Sequence, residues 1–250
     1  MLPRRYLIVN ADDFGQSHGI NRGIIDAHEH GIVTSASLMV RWPAAAEAAA
    51  YGRAHPNLSL GLHVDFGEWT YAGEQWVPLY EVVPIQDMTA VAEEVARQHA
   101  TFRRFVGKDP THIDSHQHAH LREPIRTVLT AVAHQLGVPL RHCSGEVCYR
   151  GDFYGQTAEG APLPGIISVN GLIKILMTLP PGLTELACHP GWGNDLDTMY
   201  RRERAEEVKV LCDPNVRAAI ATLRIELRSF LDLPACIPSP LVGEGQDGGE

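Results

Sequence analysis

Residues 6–15 read YLIVNADDFG: an uninterrupted apolar run from Tyr6 to Val9 breaks into the polar Asn10, Ala11, Asp12 and Asp13 and stops at Gly15. Such a run, rich in β-formers and ending this abruptly, is a short strand entering a polar loop. Beyond it Ser17 stands where a helix N-cap belongs, and Ile20, Ile24 and Ala27 recur at three- and four-residue steps through His30, with Gly31 as the stop. The same alternation then repeats. Val33–Val40 is a second strand, and the AAAEAAA that follows Pro43 a second helix. Leu58–Val64 is a third strand carrying His63 near its end, Met88–Phe105 a helix, Thr111–Asp114 a strand, and Pro124–Leu136 a helix before Gly137. Val138–Arg141 is read as a short fifth strand. Helix 167–179, strand 183–188, helices 203–211 and 215–222 and a last strand at 225–230 complete the chain. Strand-then-helix order, about seven times over, specifies an α/β fold with a parallel sheet and crossover helices, closed as a barrel or open. Two segments, 65–87 and 142–164, show no helical period and are expected to be long loops. The first carries Trp69, Tyr71, Trp76 and Tyr80.

Composition narrows the class. With 44% hydrophobic and 20% charged residues, the 250-residue chain can build a substantial core, and its formal charge of −9 argues against nucleic-acid or anionic-membrane surfaces. A small neutral or polar substrate fits better. Five cysteines, odd in number and without a CxxC pair, suggest neither a disulfide framework nor a zinc ribbon. The first fifteen residues lack the apolar core of a signal peptide, and no run reaches the roughly 20 apolar residues of a spanning helix. These features together lead us to expect a soluble, cytoplasmic protein, with a homodimer left open. Neither a repeat nor a dividing linker is visible, so residues 1–233 are read as one domain and the Pro- and Gly-rich 234–250 as a disordered tail.

The chemistry-bearing residues share one address. In THIDSHQHAH, residues 111–120, His112, Asp114, His116, His118 and His120 fall on alternate positions. On an extended chain such positions share a face, and converging imidazoles and a carboxylate suit a divalent transition metal. A His-rich surface loop without a ligand is the plainer alternative. Asp12 and Asp13 follow the first strand, His63 ends the third, the histidine stretch follows the fourth and His189 the sixth. In parallel α/β folds the ligand site lies outside the carboxyl ends of the strands, so these residues are expected to meet at one rim. Adjacent aspartates on extended backbone point apart, which suits one to a metal and the other to a substrate. They serve equally as loop carboxylates or a helix cap. His63 has the alternative of a satisfied core histidine, and His189, before Pro190 and a Gly-Trp-Gly turn, that of a plain turn residue.

LIVNADDFG (7–15), GIVTSASLMV (31–40), GLH (61–63), THIDSHQH (111–118) and CHPG (188–191) together resemble the YdjC-like carbohydrate deacetylases, over about residues 5–232 and in the same order. That family includes chitooligosaccharide deacetylases and relatives tied to hopanoid glycolipid synthesis. The resemblance implies a distorted (β/α) barrel with one divalent metal at the strand C-termini, held by Asp13, His63 and His116. It implies Asp12 as catalytic base and His189 as catalytic acid. His112, Asp114, His118 and His120 become outer-shell or substrate-facing groups, Asp114 first among them. Removal of an N-acetyl group from an amino sugar, oligosaccharide or glycolipid head group is the implied reaction. Zinc suits the ligand set, which also admits magnesium, manganese or cobalt. Sugars need aromatic walls, for which Trp69 and Tyr154 in the two long loops are candidates. After GLH, however, VDFGEWTYAGEQW departs from the oligosaccharide-acting members and leaves the substrate open. A metallophosphoesterase, or a sugar-binding protein with a lapsed site, are the alternatives.

Overall fold

The computed structural model describes residues 4–233 apart from 164, 194, 197 and 199; the expected disordered tail, 234–250, lies outside the described residues. In chain order the elements are β1 (Arg5–Phe14), α1 (His18–Glu29), β2 (Ser35–Leu38), α2 (Ala45–Ala54), β3 (Ser59–Val64), β4 (Gly67–Ala72) and β5 (Gln75–Glu81). There follow α3 (Met88–Val106), β6 (Ile113–Ser115), α4 (Ile125–Leu136), β7 (Val147–Arg150), α5 (Val169–Met177), β8 (Gly182–Cys188), α6 (Arg202–Leu211), α7 (Pro214–Thr222) and β9 (Ile225–Arg228).

Seven strands form one parallel sheet in the order β6-β3-β2-β1-β8-β7, with β9 also on β1. The ten-residue β1 has room for three partners. β8 runs beside Arg5–Ala11, while on the other edge β9 covers Arg5–Ile8 and β2 takes over from Asn10. From Leu7 onward β1 is buried on both faces, the reason its sequence is apolar without alternation. The sheet curls into a distorted (β/α) barrel, as expected, left open between β6 and β7. At the β6 edge the chain 138–141 adds a single parallel bridge, Ile113 to Leu140, and no strand. The expected fifth strand therefore fails: Pro139 has no N–H to donate, and Val138 N–H is spent on Ala133 of the preceding helix. The fifth strand of the sheet in chain order is instead β7, at the opposite edge beside β8 and inside the segment read as loop.

Helix starts and stops follow local chemistry. Ser17 caps α1 by accepting from Ile20 N–H at 3.1 Å, and Gly137 closes α4 in the left-handed region. A Cβ at Gly23 would lie 2.4 Å from Gly191, so only glycine lets α1 pack against the loop after His189.

The other expected loop, 65–87, is likewise structured. Residues 67–81 form an antiparallel hairpin, β4 with β5, turning through Gly73 and Glu74, both left-handed at φ 58 and 62. Tyr71 pairs with Trp76 across it, ring centroids 5.7 Å apart. Its strands stay largely accessible on both faces, so they lack the apolar-in, polar-out alternation that betrays a strand. The histidine stretch also departs from a uniform extended chain. β6 ends at Ser115, and His116–Leu121 is a 3-10 segment broken by left-handed Gln117 and His118. The period-two face is thus lost after Ser115. No helix among the described residues is long and apolar enough to cross a membrane.

Candidate metal centre

The two aspartates at the end of β1 are buried, and each has its own arginine. Arg141 reaches Asp12 through two nitrogens at 2.6 and 2.7 Å, and also meets Asp114 at 2.7 Å and Glu185 at 2.7 Å. Asn10 donates to Asp12 Oδ1 at 2.8 Å and to Ser37 Oγ at 2.8 Å, and Ser37 in turn donates to Asp114 Oδ2 at 2.7 Å. Burial pushes the Asp12 carboxyl up, but the Arg141 guanidinium outweighs it and holds the group below its usual range. Asp114 is held low by the same opposition. Burial, aided by the charges of Asp114 and Asp12, raises Glu185 to about 7 despite Arg141.

Asp13 takes a left-handed backbone, φ 68, at the irregular end of the β1–β2 pairing, which turns its side chain away from that of Asp12. Its Oδ2 accepts from Arg204 of α6 at 2.6 Å. Its Oδ1 lies 3.0 Å from His116 Nδ1 and 3.4 Å from His63 Nε2. The other ring nitrogen of His63, Nδ1, is 2.8 Å from Asp114 Oδ1. Burial disfavours charge on both imidazoles. Asp114 nevertheless raises His63 to about 10, and Asp13 raises His116.

One carboxylate oxygen and two imidazole nitrogens within 4.8 Å of one another are a donor set a divalent transition metal accepts. The charges also favour a cation: Arg141 is shared among Asp12, Asp114 and Glu185, and Arg204 meets Asp13, so acidic groups outnumber the arginines around the centre. Asp114 stands behind His63 as outer carboxylates stand behind ligating histidines, fixing the ring and its tautomer. Asp114→Asn is expected to weaken divalent-metal affinity by about 10–100-fold, measured by titration calorimetry. Unchanged affinity would free Asp114 of that role.

His189, directly after β8, has its Nε2 3.8 Å from Asp12 Oδ2. Its ring lies 5.4 Å from that of Tyr154 and 5.6 Å from that of Tyr200, which stack on each other at 4.3 Å. Burial lowers its pKa to about 4 although Asp12 and Asp13 oppose, so the resting imidazole is neutral. Glu207 braces the region, accepting from His189 backbone N–H at 2.5 Å and from the Tyr200 hydroxyl at 2.5 Å.

Asp12, Asp13, His63, His116 and His189 thus meet at one cleft of about 620 Å³, at the strand ends where they were expected. The remaining expected residues divide. Trp69, His118 and Tyr154 line the cleft. Asp114 lies beneath it behind His63, and His112 deeper still. The His112 Nε2 is 3.0 Å from Ser37 Oγ and its ring stacks on Phe230 at 3.8 Å, a core position rather than a substrate-facing one. A Cβ at Gly61 would sit 2.3 Å from that ring, so the glycine of GLH makes room for it. His120 turns to Ser115, 2.7 Å from its Oγ. Of the hairpin aromatics, Tyr80 pins its own loop by donating to Asp65 at 3.1 Å, whereas Trp69 and Trp76 reach the cleft.

Sequence reasoning missed Arg141, Arg204, Glu185, Glu207 and Glu68, the last 4.0 Å from His116 Nε2. Arg141 was open to discovery, since it follows an apolar run as the aspartates do. Arg204 was not, lying on a helix dense in charges.

Fold and site define an α/β barrel with an Asp-His-His centre at the carboxyl ends of its strands. The chain belongs to the family of YdjC-like proteins, whose model matches residues 6–222. It is 32% identical to the chitooligosaccharide deacetylase of Serratia marcescens, across 92% of this chain and 99% of that protein. It is 31% identical to the carbohydrate deacetylase of Geobacillus stearothermophilus, across 90% and 97%. A crystal structure from Enterococcus faecalis V583, named for cellobiose-phosphate cleavage, superposes with a TM-score of 0.72 at 25% identity, covering 91% of this chain and 98% of that one.

Proposed function

We propose that the protein is a metal-dependent carbohydrate deacetylase that removes the acetyl group from an N-acetylated amino sugar, oligosaccharide or glycolipid head group. One observation carries the reading. Asp13 Oδ1, His63 and His116 converge in the same cleft in which Asp12 and His189 stand 3.8 Å apart. The deacetylase relatives support the reaction class. Asp13, His63 and His116 are the residues that would hold the divalent ion, zinc being the best fit, with magnesium, manganese and cobalt admitted. When bound, the ion supplies Lewis-acid charge beside the amide carbonyl.

The protein's own groups handle the protons. Asp12, fixed by Arg141 and Asn10, takes a proton from the attacking water. Arg141 makes the protonated form of Asp12 short-lived, and neutral His189 beside it accepts the proton and delivers it to the departing amine. Trp69, Trp76, Tyr149 and Tyr154 offer apolar faces to sugar rings. The same reading takes residues 1–233 as one domain and a cytoplasmic setting.

The test is acetate release from a panel of N-acetylated sugars, oligosaccharides and glycolipids by metal-reconstituted protein. Acetate from at least one class is expected. Phosphate release from phosphate esters in its place would make the site a phosphoesterase, and sugar binding without turnover would make it a lectin-like remnant.

A further inference from the structure

A second histidine cluster lies at the same cleft, outside the Asp13 centre. His118 and His120 come from the 3-10 segment after β6, and His142 follows Arg141. One ring nitrogen of each lies within 4.8 Å of those of the other two. The ring centroids are 5.7 Å apart for His118 and His120, 5.4 Å for His118 and His142, and 5.7 Å for His120 and His142. Three imidazoles on one tetrahedral ion, with metal–nitrogen bonds of about 2.05 Å, would have centroids roughly 5.2 Å apart. The ring spacing is therefore within about half an ångström of that of a tetrahedral three-histidine site. At the Asp13 centre, His63 and His116 show the same 5.7 Å spacing.

Edge-to-face packing of His118 on His120 and His142, with His120 near-parallel to His142, accounts for the angles but not for the nitrogens. His118 Nδ1 and His120 Nε2 are buried without any hydrogen-bond partner, although His120 is fully enclosed. Buried polar atoms normally have partners, and two orphans in one cluster call for a shared one. The opposite nitrogens are both held. His120 Nδ1 lies 2.7 Å from Ser115 Oγ, which also accepts the His120 backbone N–H, and His118 Nε2 lies 3.2 Å from the Tyr149 hydroxyl. A tether on one nitrogen with the other left free is the arrangement of a ligating histidine. The neighbouring Arg141 charge is taken up by Asp12, Asp114 and Glu185.

We propose that His118, His120 and His142 form a second cation site, selective for borderline transition metals such as zinc, copper or nickel. Three nitrogens and no oxygen make a poor cage for magnesium or manganese, unlike the Asp13 centre. His118 and His142 line the cleft, so an ion there keeps open coordination positions toward a bound substrate.

Metal-stripped full-length protein, titrated with Zn²⁺, desalted and assayed by elemental mass spectrometry, should retain two equivalents, against no more than one with Mn²⁺. His142→Ala, at a partly exposed position, and His118→Gln should each retain one zinc equivalent, and so should Asp13→Asn. With Co²⁺, His142→Ala should lose one set of tetrahedral absorption bands that Asp13→Asn keeps. A single zinc equivalent in the parent protein, or two in both histidine variants, would overturn the site. Acetate release is not the readout, so failure here leaves the deacetylase reading standing, and the reverse also holds.

Discussion

Asp12→Asn is expected to lower acetate release by about 10²–10⁴-fold while metal content stays near that of the parent protein. The amide keeps the shape of the carboxylate but only one of its two acceptor oxygens for Asn10 and Arg141, and it cannot take a proton from water. On the proposed reading the metal-facing oxygen is that of Asp13, whose side chain is turned to His63 and His116 by its own left-handed backbone and held by Arg204. Turnover and metal loading are therefore separable at adjacent residues. Turnover within about threefold of the parent would remove Asp12 from the base role, and loss of metal together with turnover would make it a ligand.

Arg141→Met should destabilise the fold by about 3–5 kcal/mol, because it strips the counter-charge from Asp12, Asp114 and Glu185 at once while nearly preserving volume. For a domain of this size that is a fall of roughly 6–20 °C in the melting midpoint. The loss should depend on pH with a definite sign. In the parent, Asp12 and Asp114 titrate below their ordinary range, so their pairing stabilises above the unfolded carboxylate pKa of about 4 and is lost as pH falls through the lower folded values. Without the guanidinium, burial, the largest influence on both, is opposed only by the neighbouring histidines and raises them. The gap between parent and variant should then widen from pH 5 to pH 8. Melting curves at the two pH values, at equal metal loading, decide it: a gap that narrows toward pH 8 would show that Arg141 does not neutralise these carboxylates.

Which parts of the site were legible follows from where each signal lies in the chain. Asp12, His63 and His189 were readable because a parallel strand ends where its apolar run ends, and the next polar residues stand at the rim. Of the two arginines that set the charge of the centre, Arg141 shares that place after an apolar run, whereas Arg204, on a charged helix, carries no such mark. Arg141 and Arg204 meet Asp12 and Asp13 across 129 and 191 residues, and their pairing exists only once the sheet has curled. The hairpin was missed because both of its faces meet solvent, and β7 because four residues of mixed polarity carry no period.

The histidine stretch separates the two kinds of information. Its residue types and spacing sufficed to mark it as ligand-bearing, since alternation along a strand is local backbone geometry. Left-handed turns at Gln117 and His118 then send its members to different places. His112 lies against Phe230 and Asp114 behind His63, while His116 faces Asp13 and His118 and His120 face His142. From sequence alone come the parallel α/β class, the rim at the strand ends and the residues that reach it, because each is written in a few contiguous positions. Tertiary structure alone decided which carboxylate is neutralised by which arginine, which histidines share a centre and which aromatics wall the cleft. Those depend on distances between segments brought together only by the closing of the sheet.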